Sequence, residues 1–304
     1  MTRIRFEWRT WRNATYFLLV VVAAALVVLW WPKLVMIWRE QAWTFLGAVA
    51  VMVLATWVQA RNFLSFLDTP RQLPIGSFSR LWALGALANY VAPLQPGIAV
   101  RVAWLTRHDV SVAESLLATW RQLVTSGWLA LAGLAAGLLL TGNPQGRLPS
   151  LLLVLLCVAL ASLRKFWLKW LDRLTHPTWL AQHKHILHRA SQHITWRGLV
   201  GIAVQYALGT LLIWWVYGRF GAPIGLGQAL ILTCLVYVSS MVAVLPGNFG
   251  VMEAIYMLGG HGFGLSVAAS SALAILVRVA HVCASLIIVL VGDLFAHEPR
   301  GLRK

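Results

Sequence analysis

Five ionisable side chains, Arg101, Arg121, Glu253, Arg278 and His281, lie inside stretches that are otherwise apolar. A charge at the centre of a bilayer costs at least about 2.5–3.5 kcal/mol, so such residues by default face a protein interior or a hydrated cavity and mark function. A guanidinium can grip a phosphate or diphosphate through two parallel hydrogen bonds. Arg278 and His281 are three apart and share a helix face, and Glu253 is the natural partner of Arg278. The plain alternative is an ion pair that only ties two helices together. Snorkelling to the membrane surface competes with a site role for Arg101, and equally so for Arg121.

Two of these charges follow a break in an apolar run. Leu245-Pro246-Gly247-Asn248-Phe249-Gly250 precedes Glu253, and Val91-Ala92-Pro93-Leu94-Gln95-Pro96-Gly97 precedes Arg101. Each proline removes a backbone donor and the glycines relax the chain, so a helix arriving at either place stops or unwinds. Non-helical backbone at membrane depth persists only where protein or a water-filled cavity satisfies it. Interrupted segments in corresponding places of two halves are a sequence sign of a transporter-type site and of an inverted repeat. Helices restarting after Gly97 and Gly250 would offer backbone N–H groups to an anion.

Composition sets the class. The 304 residues are 60% hydrophobic and only 11% charged, which describes an all-α polytopic membrane protein forming a single integral membrane domain over 1–304. The formal charge of +16 is gathered in loops, matching an anionic membrane surface and not nucleic acid. Cys157, Cys234 and Cys283 have no paired spacing and read as small buried hydrophobes. No nucleotide-binding loop is present and no cofactor is expected. The five histidines between His176 and His193 invite a metal reading, but no cysteine or acid cluster joins them, so none is assigned.

In chain order, the basic segment 1–13 precedes a first crossing over Ala14–Trp31, about 27 Å as a helix. A second crossing covers Ala42–Ala60. Phe78–Leu94 ends in the first break and, flanked by basic residues, is expected to be a re-entrant hairpin entering from the cytoplasmic face. Val112–Leu140 is too long for one simple span and reads as a lead-in helix that becomes a crossing near Arg121. Leu148–Leu163 returns inward to the basic stretch 164–197, an amphipathic helix pair broken at His176-Pro177. Leu199–Tyr217 spans outward, and Gln228–Leu245 returns to the second break. A half-length helix, Val251–Leu258, then leads to a flexible turn at Gly259–Gly264. Ser266–Gly292 is the last span, before the tail 293–304. The expectation is about six crossings, two re-entrant hairpins and both termini in the cytoplasm.

Pro93-Leu94-Gln95-Pro96-Gly97-Ile98-Ala99-Val100-Arg101, preceded by Asn89, resembles the N-x-x-x-P-L-x-x-G-E-x-x-R motif of the lysylphosphatidylglycerol synthase transmembrane, or flippase-like, family. Leu245 to Ala254 is similar to its L-P-G-G-x-G-x-x-E-A motif, and Arg278 falls where that family often has an Arg in its final helix. The resemblance implies paired re-entrant helices in a bundle that moves a lipid between leaflets. No aminoacyl transferase follows in these 304 residues, so the lipid is expected to come from a separate synthesising enzyme or glycosyltransferase. Two departures matter. The family's Glu after the first motif's glycine is Ile98 here. The acids it tends to carry around the next Arg appear as Trp120 and as Val124 or Thr125.

Losing acids while keeping three arginines leaves the expected site net positive. That favours an anionic headgroup, a polyprenyl-phosphate sugar or an anionic phospholipid, over a lysyl group. The expected binding set is Asn89, Gln95, Arg101, Arg121, Asn248, Glu253, Arg278 and His281, around breaks at Pro93, Pro96, Gly97, Pro246, Gly247 and Gly250. The chain would act in the cytoplasmic (inner) membrane, and a homo-oligomer is compatible with this reading. An enzyme is disfavoured because the core offers no paired carboxylates or Ser-His-Asp set. The alternative class is a membrane subunit that docks or regulates an envelope glycan or lipid-modifying enzyme through 164–197.

Overall fold

The computed structural model describes residues 35, 39–68, 73–91, 95–142, 144–173, 195–241 and 250–295. Every regular element among them is a helix. In chain order they are α1 Arg39–Leu64, α2 Ile75–Val91, α3 Pro96–Arg107, α4 Val112–Leu140, α5 Pro144–Arg173, α6 Trp196–Arg219, α7 Leu226–Met241, α8 Val251–Gly262 and α9 Val267–Phe295. Four of these, α1, α4, α6 and α9, are long and apolar enough to cross a membrane. The expected crossing at 14–31, the basic terminus 1–13 and the break centres Pro93, Pro246, Gly247 and Asn248 lie outside the described residues, as does 174–194.

Local chemistry sets the helix ends. Ser111 caps α4 by accepting from the Glu114 N–H at 3.1 Å, and Thr195 caps α6 by accepting from the Gly198 N–H at 3.1 Å. Each such cap is worth about 1 kcal/mol. Pro96 opens α3, where a missing N–H costs nothing because the first turn has no partner for it.

Helices α1 and α6 run antiparallel. At one end of the bundle Gln41 Nε2 on α1 donates to the Arg219 carbonyl on α6, and at the other Thr195 Oγ1 donates to the Ser65 carbonyl. Helix α4 meets α7 along a glycine stripe. A Cβ on Gly137 would lie 2.9 Å from the Gly227 carbonyl, and one on Gly133 would lie 2.5 Å from Cys234 Sγ. Small residues let backbones approach this closely, the usual device where lipid supplies no hydrophobic drive between helices.

Helices α2 and α3 form one antiparallel pair and α7 and α8 another, and these two hairpins enter from opposite ends. Phe78 near the start of α2 stacks on Phe63 at 5.7 Å and faces Trp104 near the end of α3 at 5.4 Å, so α2 and α3 begin and end together. Leu232 on α7 and Tyr217 near the end of α6 both approach Gly259 on α8, so α7 and α8 begin and end at the other side. The tips meet in the middle, where Gln95 Nε2 donates to the Ser240 carbonyl at 3.0 Å. Met241 packs beside Gly127, near the midpoint of α4.

Helix α4 runs unbroken from Val112 to Leu140, its first turns secured by the Ser111 cap and the Arg121 ion pair described below. Two local expectations are corrected. Helix α5 continues from Pro144 to Arg173, so the basic residues from Arg164 to Arg173 extend that same helix and do not begin a separate one. Gly259–Gly262 is helical and not a loose turn. A Cβ on Gly259 would sit 2.7 Å from Leu232 and one on Gly260 2.6 Å from Ser270, so these glycines serve helix contact.

Candidate functional site

A cavity of about 330 Å³ lies where the hairpin tips meet, lined by residues of every helix except α5. Its apolar wall comes from α1 and α6, with Val51, Met52, Ala55, Leu208, Leu212 and Ile213. Its polar wall carries Arg101, five amides (Gln59, Asn89, Gln95, Gln122 and Gln205), and the hydroxyl and imidazole groups of Tyr90, Tyr237, Tyr256 and His281. No carboxylate lines it among the described residues. Both break sequences, Ala92–Leu94 and Val242–Phe249, also lack acids.

The first break positions Arg101. Asn89 Oδ1 on α2 accepts from the Gly97 N–H at 2.8 Å, which pins the start of α3 against α2. A Cβ on Gly97 would lie 2.5 Å from the Gly85 carbonyl, so only glycine fits that crossing. Gln95, at φ 53°, holds the left-handed turn between the two helices. That conformation is costly for a non-glycine residue and persists where surrounding contacts fix it, here the bond to Ser240. One turn into α3, Arg101 Nε donates to the Gly97 carbonyl at 3.3 Å. Its guanidinium lies 4.2 Å from the Trp82 ring centroid and 5.3 Å from that of Phe63. Aromatic faces attract the cation by roughly 0.5–2 kcal/mol while leaving most of its five N–H donors unused. No carboxylate pairs with Arg101 among the described residues.

The other two arginines are neutralised. Arg278 is 2% exposed and donates from Nε to Glu253 Oε1 at 2.6 Å. Glu253 Oε2 in turn accepts from the Gly250 N–H at 2.9 Å, so one carboxylate closes the N-terminus of α8 and balances Arg278 on α9. The Arg278 guanidinium lies 5.2 Å from the Tyr90 ring centroid, and the Tyr90 hydroxyl meets His281 Nδ1 at 2.9 Å. Tyr90 thus stands between the Glu253–Arg278 pair and the cavity. Arg121 points elsewhere. It donates to the Phe66 carbonyl at 3.0 Å and forms an ion pair with Asp68, fastening α4 to the chain leaving α1.

Of the residues the sequence singled out, Asn89, Gln95, Gly97, Arg101 and His281 line the cavity. Glu253 and Arg278 stand behind Tyr90, Arg121 lies at the bundle end, and Asn248 is outside the described residues. Pro96 and Gly250 sit at the first turns of α3 and α8. Sequence reasoning passed over Gln59, Gln122 and Gln205. Each is an amide inside a long apolar helix, a mark that gains weight only when several face one cavity.

A family model described as the lysylphosphatidylglycerol synthase TM region matches residues 16–292. The chain belongs to that family. Comparison with curated proteins and with solved structures found no match. Membership in the lysylphosphatidylglycerol synthase transmembrane family makes this a membrane protein of lipid-related processes, and both family motifs bear on the region where the hairpins meet. Asn89, Gly97 and Arg101 of the first motif act together, since the asparagine holds the glycine and the glycine sets the turn that aims the arginine. Glu253 of the second motif is the counter-charge of Arg278.

Proposed function

We propose that the chain is a lipid translocase that carries a phosphate-bearing headgroup between leaflets through this cavity, while the tails remain in the bilayer. The observation that carries the reading is Arg101. Among the described lining residues it is the one arginine and there is no acid, and it has no carboxylate partner among the described residues. A phosphate supplies the missing counter-charge in a geometry the guanidinium fits. A lysyl headgroup would meet a cation and no acid there.

The headgroup is an anionic one, of the polyprenyl-phosphate sugar or anionic phospholipid kind, handed over by a separate synthesising enzyme. Two hairpins entering from opposite ends and touching at their tips suit alternating access, since parting one tip from the other opens the cavity to one side at a time. Arg61, Arg80, Arg107 and Arg197 gather at the end where α2 begins, which fits the cytoplasmic side of an inner membrane. Nothing in this reading requires bond-making chemistry.

The test compares lipids that copurify with the native chain and with Arg101→Gln, measured by mass spectrometry. Selective loss of one anionic lipid from the variant supports the reading. The same bulk lipid profile in both refutes it.

A further inference from the structure

We infer that the cavity selects a headgroup carrying a neutral, hydroxyl-rich group, such as a single sugar or a cyclic polyol, on its phosphate, with Gln59, Gln122, Gln205 and Tyr237 as the residues that read it. The inference rests on the proposed function and concerns what lies beyond the phosphate.

The argument turns on donor and acceptor character. A phosphate oxygen only accepts hydrogen bonds and calls for donors. An ammonium only donates and calls for carboxylates. A side-chain amide or a phenol does both, and so does a sugar hydroxyl. Away from Arg101 the polar wall is built of groups of this double kind, with neither a further arginine or lysine nor an acid among the described lining residues.

These groups come from four different helices, and Gln59, Gln205 and Tyr237 hold one another in place. Trp82 Nε1 donates to Gln59 Oε1 at 3.3 Å, and the Tyr237 hydroxyl lies beside the amides of both Gln59 and Gln205. Tyr237 is itself stacked on Tyr206 at 4.4 Å. Gln205 is 5% exposed, so its amide is deeply buried yet opens onto the cavity. Gln122, on α4 across from this group, makes no hydrogen bond to any described residue and borders the same space. An amide has two donor hydrogens and two acceptor lone pairs, so much of this capacity faces the cavity unused. Buried polar capacity of this kind is normally met by water or ligand.

Size adds a limit. A volume of about 330 Å³ is near the lower end of small-molecule pockets, about 300–1,000 Å³. It suits one sugar-sized group beside a phosphate and not an oligosaccharide.

The experiment titrates the purified full chain with two charge-matched lipid pairs. One is hexosyl polyprenyl phosphate against polyprenyl methyl phosphate, and the other is phosphatidylinositol against phosphatidylmethanol. The hydroxylated member of at least one pair is expected to bind about ten-fold more tightly, the worth of one or two hydrogen bonds. The pair that responds names the tail. Gln122→Leu and Gln205→Leu are expected to bring that ratio toward one, whereas a general packing defect would weaken both members alike and leave the ratio intact. Gln122, only partly buried, keeps the test open if Gln205→Leu does not fold. A ratio of one in the native chain, with Arg101→Gln weakening all four lipids, overturns this inference and leaves the anionic-lipid reading standing. Arg101→Gln that weakens none of them overturns both.

Discussion

Glu253→Gln is the sharpest single perturbation. The carboxylate is 18% exposed and its partner Arg278 is 2% exposed, so the change strands a cation inside the bundle. Gln keeps an oxygen that can still accept from the Gly250 N–H, which separates loss of the ion pair from loss of the helix cap. Breaking a buried pair from one side costs about 3–5 kcal/mol. At about 2 °C per kcal/mol for a chain of this size, thermal unfolding in detergent should fall by roughly 6–10 °C. The 17 tryptophans give an intrinsic fluorescence signal for the measurement. Replacing both partners, Glu253→Gln with Arg278→Met, removes the stranded charge and is expected to recover most of that loss, because apolar replacement of a buried pair is often close to neutral. The reasoning is refuted if the double variant loses the sum of the two single losses, since uncoupled sites add.

Other consequences follow from the same contacts. Asp68→Asn removes the charge facing buried Arg121 and should lower stability by about 1.5–3 kcal/mol in the same unfolding assay. Gly137→Leu forces α4 away from Gly227 on α7 and should cost about 1–3 kcal/mol or more, read as lost yield of folded protein on size-exclusion chromatography. Asn89→Leu leaves the Gly97 N–H without its acceptor and should destabilise by about 1–2 kcal/mol while reducing anionic-lipid binding, because it releases the turn that aims Arg101. Joining Gln95→Cys to Ser240→Cys with a short thiol-reactive linker, in a background lacking Cys157, Cys234 and Cys283, should stop headgroup movement in proteoliposomes and restore it on cleavage.

Part of the region around the cavity was legible because rare residues in an apolar chain carry meaning. Arg101, Glu253, Arg278 and His281 stood out as charges where charges are costly, and Pro96, Gly97 and Gly250 stood out as places where a helix restarts. The Glu253–Arg278 pairing was readable for the same reason, since few other partners exist at that depth. Arg121 was not separable from Arg101 by these rules. Both are arginines in apolar surroundings, and the difference lies in Asp68, fifty-three positions away and brought near only by folding. The amides escaped notice because an uncharged polar residue in one helix means little until others face it across a cavity.

Composition and hydrophobic pattern by themselves determine an all-helical membrane protein, because apolar runs of this length must satisfy every backbone hydrogen bond internally. The prolines and glycines by themselves determine where two of those runs break. Tertiary structure alone decided which of Arg101, Arg121 and Arg278 has no carboxylate partner among the described residues, since charge balance depends on what each helix face meets. It also decided that the hairpins enter from opposite ends and touch at Gln95 and Ser240. Direction and contact belong to the packing of helices through small residues at Gly85, Gly97, Gly133 and Gly137, and no local pattern encodes which helix will fill the space a glycine leaves.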